Sequence, residues 1–308
     1  MTGPHLALVG PTASGKSALA LELAGALGDV EIVSIDSMQV YRGLDIGTAK
    51  ATAAERAAIP HHLIDVAEPD EEWSVARFQH EARAAVADIA RRGKRALLVG
   101  GTGLYVQAVL DPLTFPPEDR AVRDAILARA ATRSGLADTY AELCARDPVA
   151  AERIEPGNTR RIARALEVIE ITGRAFSSFG NELREHGATV FPVRMAGVWL
   201  PRGALAARIR ARVEAMRDAG LVDEVRALRA RGALSRTAAQ AIGYREVLAH
   251  LDGAAPSLDA ALEAVAVRTR QFARRQRMWF RRDPRVRWFG AAENPRSLRP
   301  ALLASWSA

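Results

Sequence analysis

The stretch Gly10-Pro11-Thr12-Ala13-Ser14-Gly15-Lys16-Ser17 follows an apolar run, Leu6–Val9, and precedes a helical pattern over 18–27. It fits the G-x-x-x-x-G-K-S phosphate loop. The glycines let backbone N–H groups turn towards anionic oxygens, Lys16 adds a mobile positive charge, and the Ser17 hydroxyl can hold Mg²⁺ beside the phosphates. The stretch therefore predicts a strand, a pyrophosphate-binding loop and a helix. It leaves open which molecule carries the pyrophosphate.

Composition and charge favour an enzyme with a large anionic partner. The chain has 308 residues, of which 49% are hydrophobic, so it can bury a full core and has room for about two domains. The net charge of +7 favours a polyanion, although an arginine-rich genome gives the same balance. A single cysteine, Cys144, excludes an intramolecular disulfide, and no apolar run reaches the roughly 18 residues of a membrane span. We expect a cytoplasmic monomer.

Apolar runs that alternate with amphipathic stretches predict a parallel sheet covered by helices. From 117 to 186 only helical patterns occur, and a long basic helix is predicted over 258–282. The fold class is therefore α/β, a P-loop NTPase-like parallel sheet with an all-helical insertion domain. Its predicted parts are 1–116, 117–186 and 187–308. The predicted strands are Leu6–Val9, Glu31–Ile35, Leu63–Val66, Ala96–Val99, Val190–Leu200 and Val286–Phe289.

Two further positions follow predicted strands and so lie at the carboxyl edge of the sheet, near the phosphate loop. Asp36 can accept a proton there from a nucleophile that faces the phosphates, or it can cap the turn or hold magnesium through water. Thr102 follows Gly100-Gly101, where an ATP-hydrolysing protein usually has a magnesium-binding aspartate. Its hydroxyl can donate a hydrogen bond to an anionic or bridging oxygen. Asp65 is the alternative magnesium ligand.

Basic residues occur in two clusters. Arg160, Arg161 and Arg164 fall on the first turns of one predicted helix, where residues three or four apart share a face. Seven arginines between 268 and 282 are interleaved with Phe272, Trp279 and Phe280. Charge neutralisation with aromatic stacking is how single-stranded RNA loops are held, so the clusters favour RNA binding. A solvated basic face with Phe272 and Trp279 in the core is the alternative.

The stretch from Asp36 to Lys50, DSMQVYRGLDIGTAK, taken with Gly10–Ser17 and Gly100–Tyr105, resembles the tRNA dimethylallyltransferase family, also called tRNA isopentenyltransferases. Other similar segments are His61–Val66, Arg164–Val168, Ala241–Arg245 and Thr269–Gln276, so the resemblance spans nearly the whole chain. It implies transfer of a dimethylallyl group from dimethylallyl diphosphate to N6 of the adenosine 3′-adjacent to the anticodon, in tRNAs that read codons beginning with U. The leaving group is diphosphate, so no hydrolytic water is needed.

The resemblance also implies roles for individual residues. Residues 10–17 would hold the diphosphate, with Mg²⁺ at Ser17. Asp36 would be the base towards the adenine amine, and Thr102 would lie near the bridging oxygen. The residues implied to contact the anticodon stem-loop are Ser37, Met38, Gln39, Arg123, Arg160, Arg161, Ile162, Ala163, Arg164, Gln240, Ala241, Ile242, Gly243, Tyr244 and Arg245.

Two positions depart from the family pattern. Gly157-Asn158 replaces Asn-Asp, which puts the helix cap in doubt, and Gln240 replaces an arginine, which puts one phosphate contact in doubt. The alternative functions are an adenylate isopentenyltransferase, a P-loop small-molecule kinase and a non-catalytic RNA-binding regulator. Consumption of dimethylallyl diphosphate in the presence of unmodified tRNA would distinguish them.

Overall fold

The computed structural model describes residues 3–179 and 185–307. By their contacts they form two compact units, one of Met1–Asp111 with Ala188–Ala308 and the other of Pro112–Gly187. We call them the sheet unit and the helical unit. Residues 180–184 of the predicted 117–186 insertion lie outside the described part of the chain, as do residues 1, 2 and 308 of the predicted flanking parts.

The sheet unit contains one sheet of six strands, in the order β3-β2-β4-β1-β5-β6, and every neighbouring pair is parallel. The α/β fold class is thereby confirmed. Strands from both ends of the chain build the sheet, because β1 pairs with both β4 and β5. The strands are β1 His5–Val9, β2 Val30–Ile35, β3 His61–His62, β4 Arg95–Gly100, β5 Val193–Trp199 and β6 Val286–Gly290.

One predicted strand, Leu63–Val66, is wrong. Leu63 and Asp65 adopt φ values of +62° and +57°, which lie in the left-handed region and cannot continue a strand. The strand in this part of the chain is the two-residue β3, which ends just before them. The chain therefore turns sharply at 63–65 instead of extending along the sheet edge.

Helices cover both faces of the sheet, as the hydrophobic effect requires for parallel strands that are apolar on both sides. All six residues of β2 are buried. The helices of the sheet unit are α1 Lys16–Leu27, α2 Ala53–Ala58, α3 Val75–Arg91, α4 Gly103–Leu110, α9 Arg202–Asp218, α10 Leu221–Arg231, α11 Tyr244–Leu251, α12 Leu258–Phe280 and α13 Arg299–Ser307. Those of the helical unit are α5 Arg120–Arg129, α6 Arg133–Arg146, α7 Pro148–Ala151 and α8 Thr159–Thr172. In residues 3–179 and 185–307 none of them is both long and apolar enough to cross a membrane.

The helical unit has its own core, centred on the apolar face of α8. A fully buried carboxylate, Glu167, lies within it and accepts hydrogen bonds from the Asp119 backbone N–H at 2.8 Å and from Arg123 at 2.8 Å. Arg164 forms an ion pair with the same carboxylate at 2.9 Å. Asn158 caps α8 by accepting from the Arg161 N–H at 3.2 Å, so the departure at Gly157-Asn158 leaves this helix with a side-chain cap.

Candidate active site

The phosphate loop connects β1 to α1 and its backbone needs small residues. Gly10 and Gly15 have φ values of +145° and +85°, and a side chain at Gly10 would come within 2.4 Å of the Val198 carbonyl oxygen. The loop is tied to α12, because the Thr12 N–H donates to Gln276 Oε1 at 2.7 Å. The first amides of α1 then point out of the helix N-terminus, where an anion is stabilised.

Two side chains of the loop are poised for an anion. The Ser14 hydroxyl is buried and makes no hydrogen bond within residues 3–179 and 185–307. Lys16 is only 8% exposed and donates from Nζ to the Pro11 carbonyl at 2.7 Å. Burial, followed by the positive charge of Arg212, lowers the pKa of Lys16 to about 7, although Asp36 opposes the shift. A bound anion would restore the positive charge on this lysine.

A cavity of about 590 Å³ opens in front of the phosphate loop. It brings Asp36 and Gln39, from the end of β2, together with Lys16 and Ser17. The other residues along its wall are Thr12, Ala13, Gly15, Ala18, Ala20, Leu21, Ile32, Ser34, Thr48, Ala49, Lys50, Ala51, Glu55, His61, Ile64, Val99, Gly100, Gly101, Arg208, Ala211, Arg212 and Gln276. Such a combination of a nest of amides, several cations and the carboxylates of Asp36 and Glu55 suits a phosphorylated substrate.

Two cations of this cavity, Arg208 and Arg212, were missed by the sequence analysis. They lie one turn apart on α9, and Arg208 donates from Nε to the Ala13 carbonyl at 2.9 Å. Arg212 makes no hydrogen bond or ion pair with any residue that the structure describes, and burial lowers its pKa. The sequence signal that could have found them is the pair of arginines four residues apart on the helix after β5. Because β5 pairs with β1, this helix lies near the phosphate loop that follows β1.

Asp36 has one of the roles that the sequence left open, that of capping a turn. Its Oδ1 accepts from the Met38 backbone N–H at 2.9 Å and so caps the turn after β2. Its Oδ2 has no hydrogen-bond partner in the described part of the chain, and the carboxylate borders the cavity. The cap fixes the side chain while the second oxygen stays available to accept a proton.

The glycines after β4 give this edge of the cavity its shape. A side chain at Gly100 would meet the Ile35 carbonyl oxygen at 2.2 Å, and one at Gly101 would meet Gln276 Nε2 at 2.3 Å. Thr102 follows them as the residue before α4, half-buried, and its hydroxyl does not cap the helix. Thr102 is next to the cavity wall in sequence but is not itself part of the wall.

Asp65, the alternative magnesium ligand, is already paired. It contacts Lys50 and Arg56, each at 2.6 Å, and these cations lower its pKa against the opposing effect of burial. No cluster of three or more acidic, histidine or cysteine side chains suited to a metal occurs in residues 3–179 and 185–307. The exposed Ser17 hydroxyl and the Asp36 carboxylate both line the cavity. Oxygen donors of this kind fit Mg²⁺, which usually keeps waters and takes substrate phosphates as its other ligands.

The residues predicted to contact tRNA in the helical unit fall into three groups. Arg160 and Arg161 are exposed and form no ion pair in the part of the chain that the structure describes. Arg164 donates to the Pro116 and Pro117 carbonyls, and it shares Glu167 with Arg123, so both residues hold the unit together. Ile162 and Ala163 are 0% and 1% exposed, and their side chains pack in the core of the unit, so the RNA contact predicted for them stays a prediction for backbone atoms only.

The second predicted group, Gln240–Arg245, is similarly divided. Gln240 and Arg245 are exposed and joined by a hydrogen bond of 3.0 Å. Ile242 is half-buried. Ala241, Gly243 and Tyr244 are buried, so their predicted contact with RNA stays a prediction and would have to use backbone atoms. Ser37 and Met38 are half-buried in the turn after β2, next to Gln39.

The basic helix α12 presents arginines to solvent and buries several of its apolar residues, although Val267 and Met278 are exposed. Arg274 and Arg275 on the helix are exposed and Phe280 is buried, and the exposed Arg281 and Arg282 follow its last residue. Trp279 packs against the main core, which favours the core interpretation for this aromatic side chain. A cationic surface therefore lies on the same helix that ties down the phosphate loop.

Comparisons with known proteins agree with this geometry. The family model described as IPP transferase matches residues 39–283, and the one described as isopentenyl transferase matches 5–65. A tRNA dimethylallyltransferase of Pseudarthrobacter chlorophenolicus is 50% identical over 305 residues, which cover 99% of each chain. One of Kineococcus radiotolerans is 51% identical, covering 94% of this chain and 92% of the relative.

Solved structures give the same result. The tRNA isopentenylpyrophosphate transferase of Bacillus halodurans is 38% identical, with a TM-score of 0.69, and the match covers 99% of this chain and 98% of the other. A eukaryotic dimethylallyltransferase acting on tRNA is 27% identical, with a TM-score of 0.77, and the match covers 98% and 78%.

Proposed function

Because the chain belongs to the IPP transferase family, we propose that it is a tRNA dimethylallyltransferase. It transfers a dimethylallyl group from dimethylallyl diphosphate to N6 of the adenosine 3′-adjacent to the anticodon, in tRNAs that read codons beginning with U. The observation that carries the proposal is the shared cavity of Lys16 and Asp36, which pairs a phosphate loop with a carboxylate at the same sheet edge. A phosphate loop alone suits many reactions, whereas the pair suits attack by a nucleophile that must lose a proton.

The reaction forms a bond between adenine N6 and C1 of the dimethylallyl group and breaks the bond between C1 and the bridging oxygen. Diphosphate leaves with that electron pair. The loop amides, Lys16, Arg208 and Arg212 stabilise its growing negative charge. Asp36 Oδ2 accepts the proton from N6. We keep Thr102 as a proposed hydrogen-bond donor to the bridging oxygen, because it follows the glycines of the cavity wall and its hydroxyl does not cap α4.

We propose that Mg²⁺ binds beside the diphosphate, with Ser17 as its protein ligand. When bound, the ion would neutralise phosphate charge. The target adenine has to leave its stack to reach Asp36. Exposed Arg160, Arg161 and the arginines of α12 are proposed to contact the RNA backbone. We propose that the enzyme works as a monomer in the cytoplasm, because tRNA is found there.

The test is transfer to defined acceptors by the purified full-length protein. An unmodified anticodon stem-loop and dimethylallyl diphosphate are expected to give an RNA heavier by one dimethylallyl group, located by mass spectrometry of the digested RNA. A matched stem-loop with guanosine at the target position is expected to stay unmodified. Prenylation of free AMP instead of RNA would favour the adenylate isopentenyltransferase, and transfer of the terminal phosphate of ATP would favour a kinase.

A further inference from the structure

A carboxylate from α10 holds a distant loop by its backbone. Glu224 accepts hydrogen bonds from three consecutive N–H groups, those of Asp45 at 3.1 Å, Ile46 at 2.8 Å and Gly47 at 3.3 Å. The Tyr244 hydroxyl donates to Glu224 Oε1 at 2.5 Å and accepts from the Gly47 N–H at 3.1 Å. Three amides that converge on one carboxylate form an anion nest, filled here by a side chain of the protein itself.

The aromatic ring of Tyr244 packs against the same loop. Tyr244 is 0% exposed, and a side chain at Gly47 would come within 2.3 Å of its ring. Burial, followed by the negative charge of Glu224, raises the pKa of the Tyr244 hydroxyl, which keeps the hydroxyl a donor. Ring and carboxylate together hold residues 45–47, the first half of the segment 45–50, which we call the 45–50 loop.

The other end of the 45–50 loop borders the proposed active site. Thr48, Ala49 and Lys50 line the cavity. Their neighbour there is Gln39, whose Nε2 donates to the Thr48 carbonyl at 3.1 Å and to the Ala49 carbonyl at 3.4 Å. The Ser34 hydroxyl donates to Gln39 Oε1 at 2.7 Å. Hydrogen bonds therefore hold both the Nε2 and the Oε1 atom of Gln39, and the partner of Nε2 is the 45–50 loop.

We propose that Glu224 and Tyr244 are positioning residues that fix the 45–50 loop, so that its carbonyls orient the Gln39 amide towards the RNA. The proposal rests on the proposed function, in which Gln39 contacts the anticodon stem-loop. It gives buried Tyr244 an indirect role in RNA recognition in place of a direct contact. A simple brace of the fold is the competing explanation, and it predicts lower stability without any link to Gln39.

The first experiment measures the loop itself and needs no activity. In Glu224→Gln and Tyr244→Phe, the amide hydrogens of 45–47 are expected to exchange faster with solvent, while those of β2 keep their wild-type rates. The side-chain NH₂ resonances of Gln39 are expected to shift. Asp223→Asn is the matched control, because Asp223 is exposed on the same helix and pairs only with Arg226 among the described residues. Wild-type exchange and wild-type Gln39 resonances in both variants would overturn the proposal.

The second experiment is a double-mutant cycle on dimethylallyl transfer. Glu224→Gln is expected to lower kcat/KM for the stem-loop by up to about 100-fold, as a small misplacement of a substrate contact does, with binding of inorganic pyrophosphate unchanged. In a Gln39→Ala background the same substitution is expected to have almost no further effect. Additive losses, or an equal loss of pyrophosphate binding, would refute positioning through Gln39. An inactive wild type would refute the proposed function, and the exchange experiment would still decide the role of Glu224.

Discussion

Diphosphate binding is expected to depend on pH through Lys16. Its pKa is lowered to about 7, mainly by burial, so above that pH the lysine of the empty site is mostly neutral. A bound diphosphate compensates for the lost water and raises the pKa again. Binding between pH 7 and this raised value must therefore take up a proton, and it weakens as the pH rises.

The size of the effect follows from the pKa. At about pH 8.5 the empty site holds the proton on only about 3% of its molecules, so nearly one proton is taken up for each diphosphate bound. Each pH unit above about 7 weakens binding by about tenfold, or about 1.4 kcal/mol. The effect of pH on folding has the opposite sign. Stability of the empty protein rises with pH, because the unfolded chain keeps this lysine protonated up to its ordinary pKa. Lys16 therefore lowers the stability of the empty protein more at pH 7 than at pH 10.

The assay is calorimetric titration with inorganic pyrophosphate, without magnesium, in buffers of different ionisation enthalpy. The buffer dependence of the heat counts the protons taken up. Lys16→Arg is the control, because arginine stays charged throughout and leaves only the titration of pyrophosphate itself. If wild type and Lys16→Arg take up the same number of protons at about pH 8.5, the lysine is already charged in the empty site and the reasoning fails.

Three variants test other parts of the molecule. Asp36→Asn keeps a capping oxygen but loses the base, so kcat in the stem-loop assay should fall by roughly 10²–10⁴-fold while pyrophosphate binding is kept. An unchanged kcat would show that Asp36 only caps the turn. Replacing both Arg160 and Arg161 by alanine should flatten the log–log salt dependence of stem-loop binding by about 0.7–0.9 per charge, and an equal slope would make them a solvated face. Gly103→Ala should lower the free energy of unfolding, measured by urea denaturation, by about 1–3 kcal/mol, because the new side chain would lie 2.2 Å from a tryptophan ring. Gly203→Ala is the control, because its new side chain would meet open space and should leave the stability unchanged.

Local pattern was enough to predict the phosphate loop and the position of Asp36. Strand, glycines and helix lie next to one another in sequence, and parallel strands bring their carboxyl ends to one edge whatever their order. Arg208 and Arg212 were missed because their place depends on β5 pairing with β1, a contact between residues nearly 190 apart. The burial of Tyr244 was not predicted for a related reason, since its hydroxyl contacts a glutamate of another helix, 20 residues away.

The strand predicted over Leu63–Val66 was wrong for a different physical reason. Its residues are apolar enough for a strand, but the conformation is decided by Asp65, which turns inwards to Lys50 and Arg56. Ion pairs between separate segments are not visible in hydrophobic periodicity. The sequence therefore predicted the sheet and its loops best where local sequence alone sets the backbone.

The bond between Thr12 and Gln276 has a consequence for synthesis on the ribosome. The phosphate loop leaves the ribosome long before the side chain that holds its backbone, which lies 264 residues later in the chain. A nascent chain can form β1, β2 and β4 early, yet its loop lacks that support until α12 has left the exit tunnel. Translation that stops before α12 should therefore leave a protein whose phosphate loop lacks this support.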